Sequence, residues 1–126
     1  MDKHEIANDF KQSLGQLQAA LKYPADNDVV KAGCIQYFEF TFELAWKTIK
    51  TVAEDQGLYE CNSPKSALKT AFSNGWIDEE EVWLDMLLAR NKMAHTYDAS
   101  NALAVYNKLD EFASALKKLA DNIDSI

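Results

Sequence analysis

Proline and glycine are scarce in this chain of 126 residues, two and four respectively, which disfavours a turn-rich β architecture and favours long regular elements. Cysteine is as rare. Cys34 and Cys61 form no CxxC pair and have no nearby histidine at a zinc-ligand spacing, so neither a metal site nor a redox motif is expected. Two reduced thiols are expected instead, with Cys34 acting as a small apolar residue on a helix. No run of ~18 apolar residues could span a bilayer, and Met1-Asp2-Lys3-His4-Glu5 lacks the apolar stretch of a signal peptide. The expectation is no membrane association and a cytoplasmic location. Positive charge is also short, with 13 Lys and Arg against 20 Asp and Glu for a net charge of −7. Broad-surface binding of nucleic acid depends on neutralising phosphates with Lys and Arg, so any such contact here must be local or helped by a partner.

What is present is apolar surface. At 48% hydrophobic and 11% aromatic residues, the chain has enough for a real core and is expected to form a single domain over residues 1–126. Ile6, Phe10, Leu14, Leu17 and Leu21 recur at spacings of three and four, which predicts a helix from about Lys3 to Lys22. Tyr23 to Asp28 breaks it and supplies N-cap residues for the next one. That second helix, about Asp28 to Glu54, carries Ile35, Phe38, Phe42, Ala45, Ile49 and Val52 on one stripe. Tyr37, Phe40, Leu44 and Trp46 widen its apolar surface. Gln36, Glu39, Glu43 and Lys47 form the polar strip that remains. Glu43 and Lys47 are placed for an i, i+4 pair, and Glu39 or Glu43 is a candidate for the border of a polar groove.

Gly57 closes that region, Ser63-Pro64 reads as an N-cap with proline at the first helical position, and Asn74-Gly75 ends a short helix. Asp78-Glu79-Glu80-Glu81 reads as a capping box, with Ile77 and Val82 as a hydrophobic staple. Trp83, Met86, Leu87 and Met93 continue helically, and Val105, Leu109, Phe112, Leu116, Leu119 and Ile123 mark a final helix capped by Asp98 or Ser100. No strand-like alternation and no internal repeat occurs. The predicted fold class is all-α, an antiparallel up-and-down bundle of four main helices and one short one.

One stretch is unusually rich in chemistry: Arg90-Asn91-Lys92-Met93-Ala94-His95-Thr96-Tyr97-Asp98. Histidine exchanges protons near neutrality, and arginine stays cationic with a planar fork suited to phosphate oxygens. Phosphodiester cleavage needs such a pair, one group to manage protons and one to stabilise charge on the phosphorus oxygens, and the scheme requires no metal or other cofactor. A polar helix end, with Arg90 and Lys92 complementing the dipole, would also account for part of the stretch. On an ideal helix Asn91 and His95 lie about 40° apart but Arg90 and His95 about 140° apart. A helix that stops early, the reach of the arginine stem, or a second copy of the motif would each cure that separation.

Read together and in order, Gly33 to Lys50 ("GCIQYFEFTFELAWKTIK"), Ser63-Pro64, Gly75 to Asp78 ("GWID") and the Arg90 to Asp98 stretch resemble the HEPN superfamily. The likeness is to its bacterial branch of nucleotidyltransferase substrate-binding proteins, related to HepT toxins, and it spans roughly Asp28 to Tyr106. It implies a two-fold homodimer in which the R-x4-6-H motifs of both subunits face a shared cleft. Active relatives are metal-independent endoribonucleases that use the 2′-hydroxyl of RNA as internal nucleophile. On that resemblance Arg90 stabilises the phosphorane-like transition state, His95 acts as general acid or base, and Asn91 matches the polar residue that follows the arginine. A minimal nucleotidyltransferase (MNT) partner acts as antitoxin by adenylylating a tyrosine, here Tyr97. Bulk and negative charge beside His95 would then block the cleft and repel RNA. The alternative within the same branch is a non-catalytic substrate-binding subunit that docks a nucleotidyltransferase.

Overall fold

The computed structural model describes residues 2–58, 61–95 and 98–126, apart from the side chains of Ala94 and His95. The helices are α1 (Lys3–Ala20), α2 (Asp28–Asp55), α3 (Pro64–Ser73), α4 (Glu80–His95), α5 (Ala99–Tyr106) and α6 (Leu109–Asn122), followed by a 3-10 turn at Ile123–Ser125. There is no strand among the described residues. The all-α bundle is as the periodicity predicts.

Helix ends follow from local chemistry. Asp2 and Asn27 cap α1 and α2 through their side-chain oxygens, and Ser63 with Ser66 forms a reciprocal capping box ahead of Pro64. α2 and α3 each stop in the same device, a glycine at positive φ (Gly57 at 80°, Gly75 at 72°). The residue after each glycine donates back into the helix, Leu58 N to Ala53 O at 2.8 Å and Trp76 N to Ala71 O at 2.9 Å, while the glycine N–H bonds Glu54 O and Phe72 O. This is the Schellman arrangement, which only a residue free of a Cβ adopts without strain.

Two local expectations are corrected. Among the described residues, Asp78 and Glu81 make no capping hydrogen bonds, because the Glu79 carboxylate is drawn to Lys118 on α6 and the helix starts at Glu80. The final helix is also divided. Asn107 and Lys108 interrupt it between α5 and α6, although neither glycine nor proline is present. Tertiary packing decides the break: α5 rests on α2 and α4, whereas α6 lies against α1, α2 and α4. Asp98 does cap α5, accepting from Ser100 N and Asn101 N.

α1 and α2 run antiparallel in a register marked by polar contacts. Cys34 Sγ meets Ala20 O, Ser13 Oγ lies 2.7 Å from Thr41 Oγ1, Thr48 reaches Ile6 O, and Lys3 pairs with Asp55. Thr41 gives its only hydroxyl proton to Tyr37 O at 2.7 Å, so Ser13 must be the donor in the buried Ser13–Thr41 bond. Around this pair of helices lies one continuous core. Phe38 sits between Phe42, with ring centroids 6.1 Å apart, and Phe112, at 5.2 Å, and Phe42 touches Trp83 at 6.5 Å. All four rings are buried, as are Phe10, Leu17, Met86, Leu109, Leu116 and Leu119. Cys34 and Cys61 are buried free thiols. No helix among the described residues is long and apolar enough to cross a membrane.

Candidate functional site

α4 presents the motif residues on two faces. Trp83, Met86 and Ala89 anchor one side of the helix in the core, so Arg90 is turned toward α2. Its Nε donates to Glu43 Oε1 at 2.7 Å, and its Nη1 donates to Asn91 Oδ1 at 3.1 Å. The other oxygen of Glu43 is held as well, accepting from Trp46 Nε1 at 2.9 Å. One carboxylate is therefore fixed between an indole and a guanidinium, and the guanidinium is fixed between a carboxylate and an amide. The Arg90 and Glu43 side chains are each 32% exposed, so the pair is worth little to stability and much to orientation.

The network also sets the chemistry of Asn91. Its Oδ1 faces a cation, so its amide NH2 is left to point away from Arg90 as a donor. Arg90 and Asn91 together can offer several N–H groups to an anion. With 3.6 residues per turn, Leu84, Leu88, Asn91 and His95 fall within about 60° of each other on the outer face of α4. Leu84 and Leu88 on that face are 41% and 57% exposed. His95 closes α4, its side chain lying outside the described set, and Thr96 and Tyr97 lie outside the described residues altogether. The structure thus joins Arg90, Asn91 and Glu43, and it carries His95 to the last turn of the same helix.

Glu39 stands one turn before Glu43 on α2 but enters a different space. It lines a cleft of about 430 Å³ between α2, α4 and α5, together with Gln36, Met93 and Leu103. Burial, and then the neighbouring Glu43 charge, hold its carboxyl above the ordinary glutamate value. The folded state therefore binds this proton more tightly than the unfolded chain. The resulting contribution to stability is complete below the unfolded pKa of ~4.3 and is lost as pH rises through the elevated folded value. Glu39→Gln, which removes the charge and keeps the shape, should raise the melting temperature at pH 7 and leave it nearly unchanged at pH 4. An equal shift at both pH values would show that the charge is not the cause.

Two readings of α2 change. Lys47 does not pair with Glu43; its Nζ lies over the Trp46 ring, 5.9 Å from the centroid, because Arg90 takes the carboxylate. Phe40 does not extend the core but is 51% exposed, beside Glu43 on the open groove between α1 and α2. Trp46 was legible only as apolar surface, although an indole donor three residues after a glutamate is a spacing at which the two can bond. Among the described residues, no group of three or more His, Cys, Asp or Glu side chains could hold a metal ion.

A helical bundle carrying this arginine-centred polar site is the architecture of a recognisable class. Residues 6–125 match the family described as "Nucleotidyltransferase substrate binding protein like", and the chain belongs to that family, within the HepT-like branch of the HEPN proteins. A curated relative, "Probable ribonuclease HepT" of Haemophilus influenzae, is 36% identical over 92 residues, 68% of this chain and 61% of the relative, so the match spans less than two thirds of that protein's length. Two solved structures share the fold. A Thermus thermophilus protein superposes with a TM-score of 0.81 at 26% identity, over 90% of this chain and 98% of its own. A Haemophilus influenzae protein, described as having the fold of a substrate binding domain of a nucleotidyltransferase, gives 0.69 at 26% identity, over 97% and 96%.

Proposed function

We propose that this protein is a metal-independent endoribonuclease of the HepT type, acting as a homodimer and silenced by a minimal nucleotidyltransferase partner that adenylylates Tyr97. The observation that carries the reading is the constrained guanidinium of Arg90, oriented by Glu43 and Asn91 and still one third exposed. An arginine held this way before substrate arrives stabilises a developing phosphorane without reorganising during the reaction. In the proposed reaction His95 takes the 2′-hydroxyl proton of RNA. The oxygen attacks the adjacent phosphorus, and the P–O5′ bond breaks to leave a 2′,3′-cyclic phosphate. The leaving 5′-oxygen gains a proton from a second acid, for which the His95 of a second subunit is the natural source.

A dimer through the outer face of α4 is supported by Leu84 and Leu88, apolar residues exposed in line with Asn91 and His95. It would bring two copies of the motif together and cure the ~140° separation of Arg90 and His95 on one helix. The acidic balance of the chain limits RNA binding to such a local site. Purified protein lacking the transferase should cleave single-stranded RNA in the presence of EDTA and leave cyclic phosphate ends. Intact RNA under those conditions would rule the activity out.

A second reading has its own support. Glu43 already neutralises Arg90, as expected of a non-catalytic subunit that docks a nucleotidyltransferase and presents its substrate. In that case the protein should co-purify with the transferase and alter its activity while leaving RNA untouched.

A further inference from the structure

The cleft between α2, α4 and α5 is separate from the Arg90–Glu43 network, yet it opens at the same end of α4. Met93 on its wall precedes His95 by two residues, and Ala99 at its edge follows Tyr97 by two. Its volume of about 430 Å³ falls within the roughly 300–1,000 Å³ typical of small-ligand pockets. Ile35, Met93 and Leu103 give it aliphatic walls, while Gln36, Glu39 and Lys31 supply the polar groups. Among the described residues neither the Gln36 amide nor the Glu39 carboxylate has a hydrogen-bond partner, although Glu39 is only partly exposed. Lys31 is steadied at the mouth, its Nζ 5.9 Å from the centroid of the Tyr106 ring, and Asp28 stands at the same rim.

We propose that this cleft binds the adenine base of an adenylate, with the base between the aliphatic walls, its edge on Gln36 and Glu39, and its phosphate at Lys31. The pattern of polar atoms selects the base. A glutamine amide matches adenine in two bonds, accepting from the N6 amine and donating to N7. Glu39 can accept the second amine hydrogen, whereas the O4 of uracil or O6 of guanine would face that carboxylate with a second acceptor. Cytosine also carries an amine but offers the glutamine no N7. One lysine beside Asp28 suits a single phosphate better than a polyphosphate chain. The ligand could be a nucleotide within an RNA strand or a free adenine nucleotide, since the base and the first phosphate are common to both.

The test uses full-length 15N-labelled protein titrated with four probes that cannot be cleaved: AMP, UMP, and 2′-O-methyl oligoadenylate and oligouridylate. Saturable amide shifts at Ala32, Gln36, Ala102 and Leu103 are expected with an adenine probe, with the matching uridine probe at least about tenfold weaker. Response to the oligonucleotide alone identifies a strand-borne adenosine, and response to AMP identifies a free nucleotide; either supports the site. Gln36→Ala and Leu103→Asp, both at exposed positions, should each weaken binding about tenfold without altering the melting temperature. No saturable shift with either adenine probe, equal binding of uridine, or unchanged binding by both variants would overturn the assignment. Because no probe carries a cleavable linkage, these outcomes are independent of whether the protein cuts RNA.

Discussion

His95→Ala should reduce single-turnover cleavage of RNA by about 10²- to 10⁴-fold, the usual cost of losing a positioned general acid or base. Arg90→Ala should cost about 10²- to 10³-fold, the loss expected when one pre-set stabiliser of transition-state charge is removed. Arg90→Lys should rescue little. Lysine cannot give one N–H to Glu43 and another to Asn91 from a rigid plane while still presenting a donor to phosphate. Glu43→Ala provides the discriminating arm. It frees the guanidinium without removing it, and misplacement of a catalytic group by about 1 Å costs up to about 10²-fold. Glu43→Gln, which preserves the acceptor for Arg90, should keep most of the activity. These variants alter half-exposed side chains, so their melting temperatures should stay close to wild type. Wild-type cleavage rates for both His95→Ala and Arg90→Ala would remove the motif from the mechanism.

Phe112→Ala should destabilise the protein by about 3–5 kcal/mol in urea unfolding. Phe112 is fully buried on α6 and stacks on Phe38 of α2 with ring centroids 5.2 Å apart, so truncation leaves a cavity at the centre of the bundle. Small domains retain only about 5–15 kcal/mol in total, which makes this a large fraction of the whole. Phe40→Ala is the control. At 51% exposure on the solvent side of α2 it should cost less than about 1 kcal/mol. If the two phenylalanines cost the same, the core as described is misassigned.

The contrast between these phenylalanines shows how far periodicity reaches. The stripes through Phe10 and Leu17, Phe38 and Phe42, and Phe112 and Leu116 point inward because residues three and four apart share a helix face. Helix starts and stops at Asn27, Ser63, Gly57, Gly75 and Asp98 were legible for a similar reason. A cap is a bond between a side chain and backbone a few residues away, or a φ only glycine takes easily, and neither depends on the rest of the fold. On α2, where apolar residues surround most of the helix, spacing alone does not separate Phe40 from Phe42.

The sequence by itself determined the all-α class, most of the helix boundaries and core positions, and the Arg90 to Tyr97 stretch as the chemical candidate. Each rests on interactions within a few residues of chain. Only the tertiary structure decided that Glu43 turns from Lys47 to Arg90 and Trp46. It also decided that the last helix breaks at Asn107–Lys108, and that Glu39 leaves the polar strip for a cleft walled by Met93 and Leu103. The physical reason is common to all three. A partner 47 residues away is brought within 2.7 Å by helix packing, and local sequence carries no record of which distant side chain will arrive.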